Sequence, residues 1–396
     1  MRIFWYEFRK LFRPAALLAA AAVLLLLRQS TLGLCDLPGE TGLGCTLDIY
    51  EGWKTSYGRT IDPEELPGLQ AQLDALYTEA DETIARWDES KWAHWDSFSD
   101  AGVTNYKEYL LLLEKTERSP VENNVAALLL DSRTDFLQER INLVKNVLEM
   151  YDFEQRGSLP GVAEAHSAAL ERSRILADSP EIIHSTLNSQ SIYYAYEFAA
   201  QLALTLVLVL AIVISPGLVQ EKLCRMTQLQ WTTSAGRKIA YHQLAAVLAF
   251  SALVSVAMVV FYGGWFCRSW RAGVFWDCMA YAVGGSQIPW FDFTYGQYLL
   301  ILAAVVIAVG IAAGAVMFFL SQFSVHYIAM LLKALPAGLA MIFLSNKILS
   351  NLLYFGNALS GLTGVPGTEL LLTAGLLAMS LALVFLSARQ LQSQEL

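Results

Sequence analysis

The chain has 396 residues, of which 55% are apolar and 16% are charged, and its formal net charge is −9 at pH 7. This composition is typical of a membrane-embedded protein and excludes an ordinary soluble enzyme. The acidic excess is local, because residues 33–192 hold 29 of the 36 acidic residues but only 13 of the 27 basic ones.

The first thirteen residues, MRIFWYEFRKLFR, combine aromatic and basic side chains. Helical spacing places an apolar stripe on one side, formed by Phe4, Trp5, Phe8, Leu11 and Phe12. Much of the remaining surface is basic, with Arg2, Arg9, Lys10 and Arg13. The pattern predicts an amphipathic helix that lies in the membrane interface. The alternative is a charged lead-in that only orients the span that follows it.

Residues 14–32 are predicted to form the first transmembrane helix. Its apolar part, Pro14–Leu27, is short, but it reaches spanning length if Arg28 extends its charge towards the interface. A cleaved signal peptide is the alternative, although no small-x-small cleavage site follows the apolar run.

Residues 33–192 are predicted to form a helical domain in water. Apolar residues recur every three or four positions in three segments, Glu64–Trp87, Val121–Tyr151 and Val162–Ala177. This spacing is typical of helices that share a core, and no alternating strand pattern competes with it. We therefore expect a helical extracellular domain between the first two spans.

Five further apolar segments occur in residues 193–396. Each has about 18–25 residues, which is enough to cross a hydrocarbon core of ~30 Å. They are Phe198–Val219, Ile239–Gly263, Gln297–Leu320, Tyr327–Ser345 and Leu370–Ser387. Lys and Arg cluster in the short connections on one side of this map, so the positive-inside rule places both termini in the cytoplasm. The sequence thus predicts an all-α membrane protein with six transmembrane helices after the interfacial helix.

Four of the five cysteines, Cys35, Cys45, Cys267 and Cys278, fall on the predicted exterior side. An even number there is typical of oxidised pairs in an oxidising compartment. Of the three possible pairings, Cys35–Cys45 with Cys267–Cys278 joins the nearest residues in sequence. Free buried thiols are the alternative.

Motifs for catalysis and nucleotide binding are missing from the sequence. It has no G-x-x-x-x-G-K-[ST], H-E-x-x-H or G-x-S-x-G pattern, and its five histidines lack metal-ligand spacing. We therefore expect no enzyme activity, cofactor or metal in this chain. The few basic residues near the membrane argue against a nucleic-acid partner.

The polar segment 220–238, QEKLCRMTQLQWTTSAGRK, connects the second and third predicted spans. It resembles the cytoplasmic loop after the second transmembrane helix of ABC-2 type transporter permeases. That loop opens on an acidic residue, continues as a short helix with a Leu core, and ends on a Gly-Arg pair. We assign the coupling role implied by the resemblance to Glu221, Arg225, Leu229, Thr232, Thr233, Gly236 and Arg237. Met226 and His242-Gln243 depart from the family pattern.

The start of the chain shows a second resemblance to this family. Glu7, Lys10 and Arg13 follow its E-x-x-K-x-x-x-R pattern within a one-residue shift, where the family has an elbow helix along the inner leaflet. The resemblance implies a bacterial cytoplasmic membrane and a separate ATPase subunit that binds ATP and Mg²⁺. It also implies a second permease copy or a related permease as partner.

Three further features occur in and between the later spans. Lys333 is the one basic residue deep in a predicted span, and it either acts within the membrane or reaches the interface. Gly310-x-x-x-Gly314 permits close helix approach and suggests contact with a second copy. Segment 346–366 resembles the exterior re-entrant hairpin of ABC-2 permeases.

Together these resemblances imply the permease subunit of an ABC-2 type ATP-driven transporter that exports a peptide, lipid or drug-like substrate. The alternative is an ABC-type sensing or mechanotransmission protein, whose exterior domain binds a peptide or cell-envelope partner without transport. A membrane-bound enzyme is a third hypothesis, and no catalytic constellation supports it.

Overall fold

A computed structural model describes residues 2–30, 32–36, 42–89, 97–128, 137–155, 171–172, 174–176, 179, 184–223, 239–281, 288–324 and 326–393. Within these ranges the chain is mostly helical and forms no β-strand, only isolated bridges. The all-helical prediction is confirmed for this part of the chain.

Two helices begin the chain and meet at a bend. Helix α1 spans Arg2–Lys10 and α2 spans Pro14–Ser30, and their axes differ by 51° across residues 11–13. Pro14 suits the first helical position, because its missing N–H would have no partner there. The amphipathic segment and the first apolar segment are therefore separate helices, as the change in their sequence pattern predicts.

In the described part of the chain, five later helices are long and apolar enough to cross a membrane, and a sixth span results if α1 and α2 are counted as one. The membrane-length segments are Ser189–Gln220, Ile239–Ser269, Tyr295–Gln322, Ile328–Leu349 and Thr368–Gln390. Each extends a few residues beyond the apolar stretch that predicted it. Polar first and last turns are compatible with a membrane helix because they lie at its ends.

These segments correspond to named helices: α8 is Ser189–Leu223, α9 is Ile239–Met258, α10 is Gly264–Ser269, α11 is Tyr295–Gln322, α12 is Tyr327–Leu349 and α14 is Thr368–Ser393. A π-helical segment, Val259–Gly263, joins α9 to α10 within one continuous span. Helix α8 is central, since it packs against α2, α11 and α12 and 67% of its apolar window is buried. Only 28% of α12 and 22% of α14 are buried in this way.

Helices α9 and α11 approach each other closely at two glycines of α11. A Cβ on Gly314 would stand 2.7 Å from the Cβ of Ser251, and one on Gly310 would stand 2.5 Å from Leu206 Cδ2. Both distances are shorter than side chains tolerate, so this chain's own α8 and α9 occupy the glycine face. The suggestion that this face contacts a second copy was wrong.

The inserted domain consists of five helices in the described residues: α3 (Gly42–Tyr57), α4 (Leu66–Glu89), α5 (Tyr106–Glu114), α6 (Pro120–Leu128) and α7 (Leu137–Gln155). Its core includes Trp53, Leu69, Leu73 and Val144, all of which are buried. The prediction of Glu64–Trp87 corresponds to α4. Within the predicted Val121–Tyr151 segment the described residues are helical, as α6 and α7, and residues 129–136 between them lie outside the described residues, as does most of Val162–Ala177.

An irregular turn between α12 and α14 is buried by protein. Tyr354 is fully buried and donates its hydroxyl hydrogen to the carbonyl of Ala280 at 2.7 Å, and Trp290 N–H donates to the carbonyl of Leu353 at 2.9 Å. The short helix α13 (Ala358–Thr363) follows. Non-helical backbone at this position agrees with the rule that such backbone must be covered by protein near a membrane.

The predicted local disulfide between Cys267 and Cys278 is absent. Cys35, Cys267 and Cys278 are free thiols, and the side chain of Cys45 lies outside the described residues. Burial raises the pKa of the Cys35 thiol to about 12, with Asp36 adding to the effect, and burial also raises the pKa of Cys278. Because the thiolate is the reactive form, these two thiols are chemically quiet.

Candidate functional site

Helix α1 and the bend that follows it lie against α9, and aromatic residues form the contact. The rings of Phe8 and Phe12 meet Phe250 edge-on, with centroid distances of 6.2 and 5.2 Å. Leu11, just after the helix, is 4% exposed. The apolar stripe read from the sequence therefore faces protein over part of its length.

Glu7 lies on the protein-facing side of α1 and is buried. Lys10 Nζ donates to Glu7 Oε1 at 2.7 Å, so the carboxylate has a cationic partner one turn away. A small cavity beside this pair is lined by both residues and by Gly217 and Leu218 of α8 and Gln243 of α9. The ion pair thus lies where three helices meet, and replacing only one partner would leave a buried charge.

Arg13 connects the bend after α1 to the end of α8. Its guanidinium donates to the side chain of Gln220, to the carbonyl of Gly217 at 3.5 Å and, through Nε, to the carbonyl of Lys10 at 3.3 Å. A cation is favourable at a helix C-terminus because the terminal carbonyls carry partial negative charge. Glu7, Lys10 and Arg13 therefore converge on one junction, which we call the elbow junction.

The predicted coupling segment leaves from this junction and returns to it. Helix α8 ends at Leu223 and α9 begins at Ile239, and α1 packs against α9 while Arg13 contacts the end of α8. Glu221 lies in the last turn of α8, but its side chain is outside the described residues. The remaining assigned residues also lie outside them, namely Arg225, Leu229, Thr232, Thr233, Gly236 and Arg237.

Comparisons of this chain with protein-family models, curated proteins and solved structures find no match. The role of the elbow junction is therefore argued from its own geometry. It combines an amphipathic helix, an ion pair whose carboxylate is buried, and contacts with the two helices that flank a polar connection.

The opposite side of α1 is exposed and has the character of an interfacial surface. Trp5 and Tyr6 are 56% and 63% exposed, and Arg2 and Arg9 are exposed beside them. Lys10 Nζ lies 4.5 Å from the Tyr6 ring centroid, a cation–π distance. Aromatic and basic side chains on one helix face suit the boundary between anionic headgroups and acyl chains.

We expect Arg13→Ala to loosen α1 from the end of α8, because the variant loses the three hydrogen bonds of the guanidinium. Amide hydrogen exchange over residues 2–13 would show this as faster exchange, by about fivefold for a loss of ~1 kcal/mol. Arg9→Ala is the matched control, since Arg9 lies in the adjacent helix α1 but is exposed. Equal exchange in the two variants would contradict the anchoring role of Arg13.

Lys333 contacts the end of a neighbouring helix. It is exposed, and its ammonium donates to the carbonyl of Phe323 at the end of α11 at 2.6 Å. The carbonyls at a helix end are natural acceptors for a cation. The role of Lys333, within the membrane or at an interface, stays a prediction.

A second polar contact region, which we call the α3 seam, joins the inserted domain to residues 264–281. Arg271 pairs with Asp48 and Glu51 of α3, with both distances 2.5 Å, and Lys54 pairs with Asp277 at 2.9 Å. Burial acts to raise the pKa of Asp277, but the hydrogen bond and charge of Lys54 outweigh it, so this pKa is lowered overall. The Lys54 pair therefore persists at neutral pH and weakens only as pH falls through that lowered pKa.

Arg271→Ala should weaken the α3 seam, because it removes both ion pairs of one side chain that is only partly exposed. We expect a loss of about 1 kcal/mol, smaller at high salt because exposed ion pairs are screened. Limited proteolysis of the inserted domain at low and high salt measures this change. Arg268→Ala, which changes an exposed arginine one turn earlier, is the control and should be neutral. A salt-independent effect would show that packing, not charge, holds the seam.

Sequence reasoning did not find the residues that complete these two regions. Gln243 lines the elbow junction and had been noted only as a departure from the family pattern. Arg271 and Asp277 lie in the connection between the third and fourth predicted spans, for which the sequence predicted no contact with the inserted domain. The sequence showed only an acidic α3 segment and a basic residue more than 200 positions away. Opposite charges at that separation do not predict which residues pair.

Proposed function

We propose that this chain is the membrane subunit of an ABC-2 type transporter in the bacterial cytoplasmic membrane. It has six spans, with α1–α2 contributing the elbow and first span, and both termini are cytoplasmic. The inserted domain is exterior, and the exported substrate is a peptide, lipid or drug-like molecule. ATP and Mg²⁺ bind to a separate ATPase subunit, and a second permease copy or a related permease completes the complex.

The elbow junction is the observation that carries this proposal. An ATPase that pushes on segment 220–238 needs a rigid connection from that segment to the membrane helices. Helices α8 and α9 provide it directly. Arg13 contacts the last turns of α8, and Phe8 and Phe12 pack on Phe250 in the middle of α9. A displacement of the segment would therefore move α8, the central helix of the bundle, together with the interfacial helix.

Affinity capture of the tagged chain from native membranes in mild detergent tests the proposal. We expect a P-loop ATPase subunit in the captured complex. Arg237→Glu should lower its recovery at least fivefold, because a charge reversal in the contact costs about 1 kcal/mol or more. Lys107→Glu, an equal charge change on the exposed surface of α5, is the control. Capture of the folded chain with no ATPase would refute the proposal.

A sensing or mechanotransmission role is the second candidate, and the α3 seam favours it. Arg271 and Lys54 connect the inserted domain to the region between α9 and α11, so a ligand on that domain would act on the membrane helices. Transport predicts vesicle uptake and ATPase activity that rises with cargo. Sensing predicts ATPase activity that no cargo alters and an exterior partner that is captured with the chain.

A further inference from the structure

An apolar cavity of about 170 Å³ opens between α8, the π segment with α10, and α11. Its floor is formed by Leu202 of α8 and Val306 of α11, which are 2% and 1% exposed. Phe198 and Phe266 form one wall, with their rings stacked at a centroid distance of 4.8 Å. The cavity is thus built from well-packed side chains.

The chemistry of the lining excludes a polar ligand. None of the fourteen lining residues is charged, and only Cys267 and Trp276 carry a polar side-chain atom. A polar group placed here would lose its hydrogen bonds to water without replacement. By comparison, an engineered apolar cavity of about 150 Å³ in another protein stays dry and binds benzene, so this cavity holds a hydrocarbon segment of similar size.

The cavity runs along the membrane helices. Its lining extends from Ala195 to Leu202 on α8 and from Leu299 to Val306 on α11, about 10 Å along each helix axis. Acyl chains lie in the same direction in a bilayer that these helices cross. The shape therefore suits a chain that enters parallel to the helices and does not suit a flat ring system lying across them.

The open side of the cavity is continuous with the apolar surface of the membrane helices. Leu300 at the opening is 60% exposed, and Val260 and Phe261 of the adjacent π segment are 68% and 60% exposed. The π segment ends at Gly263, which lines the cavity without a side chain. The turn of the π segment is wider than that of an α-helix, and its last residue, Gly263, has no side chain. Together they leave space that a regular helix with a larger residue would fill.

One end of the cavity is marked by Trp276, which packs on the first turn of α11. Its ring lies against Gly296, whose N–H donates to the Trp276 carbonyl at 3.0 Å, and the side chain is 44% exposed. Indole rings are enriched at the level of lipid headgroups. The Trp276 end therefore marks the headgroup side, and the Leu202–Val306 end lies deeper in the bilayer.

We propose that this cavity binds the part of one phospholipid acyl chain that is nearest the glycerol, in the leaflet next to residues 264–294. The lipid headgroup lies near Trp276, the first half of the chain extends to Leu202, and the methyl end continues past the cavity towards the centre of the bilayer. This inference depends only on the membrane position of α8, α9 and α11, and it is independent of coupling to an ATPase. Failure of the ATPase capture experiment would leave it unchanged.

Photolabelling in vesicles of phosphatidylethanolamine and phosphatidylglycerol tests the proposal. The probe is a phosphatidylethanolamine with a diazirine in the half of one acyl chain that is nearest the glycerol, and mass spectrometry locates the label on the full-length chain. We expect label concentrated at residues 198–202 and 299–306. A second probe, with the diazirine at the methyl end of the acyl chain, should label this region at least fivefold less.

Ala303→Phe fills the cavity from the α11 side and should lower this labelling about tenfold, since roughly two methylene groups can no longer be buried. Ala304→Phe is the matched control, because Ala304 is the next residue of α11 but is exposed and does not line the cavity. Ala303→Leu, which fills less space, should give an intermediate loss and serves if the Phe variant does not fold. Labelling spread evenly over exposed apolar residues such as Leu253, or unchanged in Ala303→Phe and Ala303→Leu, would overturn the proposal.

Discussion

Gly314→Ala should destabilise the protein by about 3 kcal/mol, because the added methyl group overlaps α9. The new Cβ would stand 2.7 Å from Ser251 Cβ and closer still to its hydroxyl oxygen, and both helices are buried here. Ser251 cannot simply turn away, since its Oγ donates to the carbonyl of Val247 at 2.8 Å. The change must therefore separate α9 from α11.

Thermal unfolding of the purified protein in detergent measures this effect, and we expect an apparent Tm lower by about 5 °C. Gly375→Ala is the control, because a Cβ there meets no atom within 4 Å. That variant should be neutral or stabilised by up to about 1 kcal/mol, since alanine favours a helix over glycine. Equal Tm values for the two variants would contradict close packing at Gly314.

A second substitution separates the overlap from other causes. Ser251→Gly, combined with Gly314→Ala, removes both atoms that the new methyl group meets and should restore most of the lost stability. Ser251→Ala removes only the hydroxyl and leaves the Cβ at 2.7 Å, so it should restore less. The distances at Gly314 predict that Ser251→Gly restores more stability than Ser251→Ala. A general effect of losing the serine would not predict this order.

Asn357→Asp should cost about 3 kcal/mol, because it replaces the amide group that holds the turn after α12. Asn357 is 1% exposed, and its Nδ2 lies 2.7 Å from the carbonyl of Ser350, 3.2 Å from that of Ile348 and 3.3 Å from that of Lys347. A carboxylate would face three carbonyl oxygens with no hydrogen to donate. A buried polar group without a hydrogen-bond partner loses the free energy of its hydration and gains nothing in return.

The Asp variant keeps the other function of this side chain, which makes the test specific. Asn357 Oδ1 accepts a hydrogen bond from Leu359 N–H at 2.7 Å and caps α13, and an aspartate caps equally well. Apparent Tm in detergent is the measurement, and Asn346→Asp, on the exposed side of α12, is the control. An unchanged Tm in Asn357→Asp would show that the three carbonyls are satisfied in another way.

The helices were predictable where a local pattern determines them. Apolar length identified the five later membrane helices, and the change from MRIFWYEFRKLFR to an alanine–leucine run identified the boundary between α1 and α2. The ends of these helices were less predictable. Helix α8 begins at Ser189, nine residues before its predicted apolar start. Its first turns are polar and aromatic, and other segments bury them. For example, Tyr295 Oη donates to the Ser191 carbonyl at 3.2 Å.

The elbow junction was predictable only in part. The sequence placed Glu7, Lys10 and Arg13 on one helical segment by their spacing and charge. It did not show that Arg13 contacts Gln220 and Gly217, more than 200 residues away. The cysteines show the same limit, because an even count on one side predicts pairs, whereas the distance between thiols depends on the fold.

By itself, the sequence determined that this is a helical chain with several membrane-length segments, an amphipathic start and an acidic inserted domain. Those properties depend on hydropathy, charge and periodicity, which are local. Only the tertiary structure decided that Gly310 and Gly314 face α8 and α9, that Arg271 holds α3, and that an apolar cavity remains beside the π segment. Each of these depends on which distant residues meet, and a contact between two distant positions leaves no periodic pattern in one sequence.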